Sequence, residues 1–222
     1  MRKLQLFLEY KEIKNKKIVS YYVLFEKITI FCHNLIMKNS KYLSGNIICA
    51  LPQLKDIFFS KSIIYLTHHN KNGAVGIVLN YKIMNISSSD LFQQLNINID
   101  KEKKFSLHIG GPMSQNNGFV LHTKEYKTED TIKITNKINL SSSTKIFKDI
   151  AINNGPQKFF ISLGYAGWGP GQLEKEFIEN SWINMNEKLD LIFDTNVEEK
   201  WNKAIRITGI DFSKFSSYSG NA

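Results

Sequence analysis

The stretch LGYAGWGPGQLEKEFIENSW, residues 163–182, constrains the fold more than any other part of this chain. An apolar run ends in Gly164, Gly167, Gly169 and Gly171, Pro170 stiffens the exit, and a charged, helix-like segment follows. Glycine tolerates positive φ and close backbone approach, and proline fixes φ, so the stretch reads as a rigid strand-to-helix corner. Leu173, Phe177 and Trp182 fall roughly on one helical face, with Glu174, Glu176 and Glu179 toward solvent. Backbone N–H groups at such a corner can cradle an anion. The sequence lacks the glycine-lysine pattern of a phosphate loop, so a structural corner with an aromatic packed over glycine is the favoured reading.

Around this corner the chain mixes hairpins with helices. SIIYLT (62–67) and AVGIVLN (74–80) are rich in β-branched residues, and Asn72-Gly73 between them signals a hairpin turn. FSLHI (105–109) and GFVLHT (118–123) predict a second hairpin around the longer loop GGPMSQNN. KFFISLGY (158–165) and KLDLIFD (188–194) predict further strands. Helices are expected at SSDLFQQL (88–95), behind a serine cap, and within 142–156, stopped by Asn154, Gly155 and Pro156. A third should follow Thr195, which with Glu198 has the capping-box pattern, and end at Gly209; Val197, Trp201, Ala204, Ile205 and Thr208 share its apolar face. Without regular βαβ alternation, the class is α+β in a single domain.

Residues 1–36 differ: they contain no glycine or proline and carry seven Lys or Arg against three Glu. They read as an atypical N-terminal extension, or as a start placed upstream of Met37, with residues 37–222 forming the domain. The whole chain has 222 residues, 42% of them apolar, and a formal charge of +9, a balance that suits a polyanion such as nucleic acid. Its lysines are scattered, however, and Arg2 and Arg206 are its only arginines, whereas base readout leans on arginine; Lys200, Lys203 and Arg206 read as the basic, solvent-facing side of an amphipathic last helix. Cys32 and Cys49 form no CxxC pair, which argues for a reducing, cytoplasmic setting. The most apolar run, 18–37, is broken by Glu26 and Lys27, so no membrane association is expected.

Candidate chemistry is sparse. His69 and His122 would form a metal site or acid–base pair only if the two hairpins were adjacent, and no ligand spacing supports that. Cys49 lies in an apolar run and reads as inert, and no serine elbow is present. Asp56 and Ser62 are explained as a turn cap and a strand-edge hydroxyl. If the GGPM loop faces the corner, Gly110, Gly111, Gly164, Gly167 and Trp168 would line a pocket. Pro112, Tyr165, His69 and His122 complete the candidate ligand-binding set. No catalytic residue, metal or cofactor is assigned.

The corner, together with Ala50, Pro52, Asp56, Phe59, Ser62, His69, Gly73, Gly76 and Asn80, resembles the YqgE/AlgH family of bacterial proteins. GGPMSQNNGFVLH (110–122), through Gly110, Gly111, Pro112, Gly118, Leu121 and His122, resembles its central motif, and the terminal SGNA its closing residues. The resemblance runs from about residue 40 to 222. This chain departs from the pattern near His108, where an aromatic is expected, at His68, where a glutamate is, and at Asn221, where a histidine is. The resemblance implies an α+β domain with a mostly antiparallel, irregular or barrel-like sheet and flanking helices. It implies no established enzyme activity; members are mostly uncharacterised and some are described as transcriptional regulators. The expectation is a non-catalytic regulatory or binding module, with a nucleic-acid-binding regulator and a small-molecule or metal-dependent enzyme as alternatives. The partner is unknown, and a protein partner is one option.

Overall fold

Strand β8, Phe159–Trp168, organises the sheet because three other strands hydrogen-bond to it. The structure is a computed structural model that describes residues 42–84, 87–99 and 104–209. The N-terminal extension, Cys32 and the closing SGNA with Asn221 lie outside the described residues.

The strands are β1 (Ile47–Ala50), β2 (Ile63–Asn70), β3 (Gly73–Val78), β4 (Leu107–Ile109), β5 (Met113–Thr123), β6 (Ile132–Lys133), β7 (Ile138–Ser141), β8 and β9 (Trp182–Met185). Among the described residues four helices are interspersed: α1 (Ser88–Gln94), α2 (Thr144–Ala151), α3 (Gln172–Ile178) and α4 (Val197–Thr208). Strand order is β6-β7-β5-β8-β3-β2-β1-β9, and β4 pairs with β8 off this path. Every pairing is antiparallel except β4 with β8.

The sheet curls into a half-barrel, bringing the β6–β7 turn to the end of β9. Glu187, just past β9, joins them: it accepts hydrogen bonds from Thr135 at 3.0 Å and the Tyr65 hydroxyl at 3.4 Å, and pairs with Lys137 at 3.4 Å. Two apolar clusters make up much of the core among the described residues. Ile48, Ile64, Leu66, Val78, Trp168, Leu173 and Trp182 form one, and Phe92, Leu107, Val120, Ile146, Phe147 and Ile161 the other.

Several expectations are corrected. β4 does not form a hairpin with β5; it runs parallel to β8, and of GGPMSQNN, expected as a loop, residues 113–117 supply the irregular first half of β5. Residues 188–194 are not a strand, because Asp190–Asp194 is a π-helical turn burying the adjacent Leu191 and Ile192. A strand alternates its faces, so two successive core side chains suit a helical turn better. Trp182 opens β9 instead of extending α3. The Thr195–Glu198 capping box is not made: Asn196 is the N-cap without a side-chain bond, and Thr195 donates to the Asp190 carbonyl. By contrast, Ser87 and Asp90 cap α1 reciprocally.

At Gly111, with φ of +153°, an added Cβ would stand 2.1 Å from the Tyr165 carbonyl carbon and 2.3 Å from the Ala166 nitrogen. Backbone cannot withdraw as a flexible side chain can. Gly111→Ala is therefore expected to destabilise by about 3 kcal/mol or more, measured by urea unfolding. An unchanged midpoint would show that the β4–β5 segment can move off β8.

Candidate functional site

The glycine corner and the GGPM loop do meet, and backbone fills the space between them. Gly110 donates to the Leu163 carbonyl at 2.7 Å and accepts from Val78 at 2.8 Å. A Cβ on Gly110 would lie 2.2 Å from the Gly164 oxygen, and one on Gly164, where φ is +74°, 2.6 Å from the Met113 oxygen. The Met113 sulfur covers Gly167 in the same way, at 2.7 Å from a built Cβ. Pro112 is exposed, Tyr165 is half-buried with its ring edge-on to Phe119, and Trp168 is buried.

Glu179 is exposed as expected and Glu174 partly so, but Glu176 is turned inward and holds the corner together. One oxygen of Glu176 accepts the indole N–H groups of both Trp168, at 2.9 Å, and Trp182, at 2.7 Å; the other accepts from Gln172 at 2.9 Å. Gln172 in turn accepts the Gly169 amide at 3.0 Å. Both indoles are buried, so one side chain satisfies two donors that would otherwise lose their hydrogen bonds.

His69 and His122 do not meet. His69 pairs with Ala74 next to Trp168, whereas His122 pairs with Phe159 at the other end of β8. Nδ1 of His69 accepts the Leu43 amide at 3.0 Å, which places the proton on Nε2, facing Glu174 at 3.1 Å. The two His122 nitrogens bond the Thr123 carbonyl and Ser141 Oγ, and burial lowers the ring's pKa. Asp56 caps its turn by accepting the Phe58 and Phe59 amides. Cys49 is a buried free thiol whose pKa burial pushes up. Among the described residues, no three His, Cys, Asp or Glu side chains converge as a metal site, and no helix is long and apolar enough to cross a membrane.

A different set of residues surrounds a pocket of about 350 Å³ between β4, the first half of β8, the π-helical turn and the start of α4. His108 and Lys200 are only 5% and 2% exposed, yet both line it. The His108 ring stacks on Phe160, with centroids 3.9 Å apart, and Nδ1–H donates to the Ile161 carbonyl at 2.9 Å. The Lys200 ammonium lies 4.6 Å from the Phe160 centroid and donates to the Ile192 carbonyl at 2.6 Å. Burial pushes the Lys200 pKa down to about 7, partly opposed by Asp194. It also pushes His108 down to about 4, against the pull of the Ile161 hydrogen bond and with help from Lys200 and Lys82. Lys82 and Lys104 stand exposed at the rim.

Sequence reading put Lys200 on the wet side of the last helix, and the structure corrects this. The signal was present: Lys200 is three residues after Val197 and four before Ala204, which is the buried face. A second pocket, about 500 Å³, lies beside Asn116, Phe119, Thr144 and Phe147, and none of the expected site residues lines it.

Glu176→Ala should leave two buried indole donors without an acceptor. The expected cost is about 2–4 kcal/mol in chemical denaturation, and a loss below 1 kcal/mol would mean the corner is held by packing alone. For Lys200, the unfolded chain binds the extra proton between pH 7 and 10.5, so the burial cost is full below pH 7 and fades above it. The stability difference between Lys200→Met and the parent should thus be constant below pH 7. Above that it should fall by about 1.4 kcal/mol per pH unit. A difference independent of pH would show that Lys200 keeps its ordinary charge.

Comparison with known proteins agrees with this architecture. The AlgH-like family model matches residues 47–213. A UPF0301 protein of Proteus mirabilis is 36% identical over 185 residues, covering 81% of this chain and 99% of the relative. One of Saccharophagus degradans is 40% identical over 182 residues, covering 81% and 89%. The solution structure of AlgH from Pseudomonas aeruginosa superposes with a TM-score of 0.68 at 30% identity, covering 83% of this chain and 98% of that one. A crystal structure of a Corynebacterium diphtheriae protein shares the fold, with a TM-score of 0.63 at 17% identity over 78% and 91% of the two chains. By the extent of the family match and by identity over nearly the whole length of its relatives, this chain belongs to the AlgH-like family, whose UPF0301 members are uncharacterised.

Proposed function

We propose that this protein is a non-catalytic binding module that recognises a small molecule in the pocket between β4, β8 and α4. One observation carries the reading: two buried, ionisable side chains keep hydrogen-bonding capacity there, whereas at the glycine corner that capacity is largely used. At the corner Glu176 is satisfied by two indoles and an amide, and the part-exposed Glu174 pairs with His69. In the pocket, the buried His108 and Lys200 each bond one backbone carbonyl. His108 and Lys200 are anchored to separate backbone carbonyls and share no hydrogen bond, which favours holding a ligand over relaying a proton between them. Residues 37–222 are taken as the domain, a reading supported by the match over 47–213. The buried free thiol of Cys49 supports a reducing, cytoplasmic setting.

The positive charge offers less support for a nucleic-acid-binding regulator. Lys137, Lys145, Lys158, Lys175 and Lys203 are each paired with a carboxylate, which reduces the field available to a phosphate backbone.

A thermal-shift screen of the full chain against a defined metabolite set is expected to find compounds that raise Tm, less so in Lys200→Met, and that are recovered unchanged. Conversion of a hit beyond one equivalent per protein would establish an enzyme instead. The absence of hits, together with duplex DNA binding that weakens steeply with salt, would establish the nucleic-acid reading.

A further inference from the structure

The pocket's free hydrogen-bonding groups have a definite polarity. Lys200 has three N–H donors, and the Ile192 carbonyl is the one acceptor it meets among the described residues. At the start of α4, Asn196 makes no side-chain cap, and the Val197 and Glu198 amides find no acceptor among the described residues. The twelve-residue helix adds its positive N-terminal end. Lys82 and Lys104 contribute charge at the rim; Asp194 opposes it but is held by both its oxygens on Lys158, at 2.8 and 2.6 Å, and Glu198 is exposed.

His108 is the independent observation. Its Nδ1 proton goes to the Ile161 carbonyl, which in the neutral ring leaves the Nε2 lone pair as an acceptor. No described residue meets that nitrogen, although the side chain is nineteen-twentieths buried, with 5% exposed, and lines the pocket. A polar atom of a buried residue that lines a site of this size takes its partner from a ligand or solvent. Phe105, Phe159 and Phe193, half-buried, provide apolar wall.

We propose that this pocket binds a small aromatic anion that carries its own hydrogen-bond donor. The anionic group meets Lys200 and the Val197 and Glu198 amides, the ring lies against the phenylalanine wall, and the ligand's donor meets His108 Nε2. The proposal rests on the reading of this pocket as a ligand site. It adds the ligand's charge, its flat apolar body and its donor.

The test uses three probes of nearly equal shape, 4-hydroxybenzoate, 4-hydroxybenzamide and 4-methoxybenzoate, titrated into the isotope-labelled full chain and followed by NMR. Expected are saturable shifts at the Val197 and Glu198 amides and the His108 ring with 4-hydroxybenzoate, and affinity about tenfold lower for each of the other two. The surface variant Lys82→Ala with Lys104→Ala, which leaves the buried groups intact, should weaken the two benzoates and leave the benzamide unchanged. Equal binding of the benzamide would overturn the anion assignment, and equal binding of the methoxy compound would overturn the role of His108. Both results leave the pocket standing as a ligand site. No saturable shift at these residues with any probe would overturn the proposal, and with an empty metabolite screen the binding-module reading as well.

Discussion

The contact of the Gly110–Gly111 backbone with β8 is the constraint on which the rest depends. At Gly164 β8 turns from its pairing with β4 and β5 toward β3, and the positive φ there is open to glycine at low cost. The space opposite the turn is occupied by the main chain of Gly110 and Gly111, so that peptide groups bond each other where side chains would normally intervene. This lets β4 join β8 in parallel while β5, a few residues later, joins its other edge. It also sets β4, and so His108, beside the first half of β8, where α4 arrives.

The molecule divides its polar groups between two tasks. On the corner side, Glu176 ties two tryptophans from different strands, and Glu187 performs a comparable tie where the curled sheet nearly closes on itself. These carboxylates act as staples for buried donors, and their hydrogen bonds leave little for a ligand. On the β4–α4 side, the histidine and lysine flanking Phe160 are anchored by one backbone carbonyl each. Burial favours the neutral form of both, so a ligand that restores charge or hydrogen bonds gains more there than at the surface.

Much of the secondary structure was legible. Asn72-Gly73 marked a hairpin whose turn packs on Trp168, since a Cβ on Gly73 would lie 2.2 Å from the Trp168 oxygen. The 3.6 period of Val197, Trp201, Ala204 and Ile205 marked α4. The failures came where local pattern and long-range pairing disagreed. FSLHI and GFVLHT look like hairpin partners because they are neighbours in sequence, but the glycines between them carry the chain across to β8. The candidate site was only half legible: the glycines do meet, while His69 and His122 sit at opposite ends of β8. Lys200 was misjudged because a lysine on an apolar face is ordinarily assigned to solvent before its helical position is weighed.

By itself the sequence determined the α+β class, the corner at Gly164, the family and the amphipathic faces, because propensity, glycine backbone freedom and periodicity are local properties. Tertiary structure alone decided which strands pair, that Glu176 faces two indoles, and that His108 and Lys200 share one pocket. Those facts depend on strands distant in sequence coming within hydrogen-bond reach, and on desolvation, which a group acquires only when the rest of the chain has packed around it.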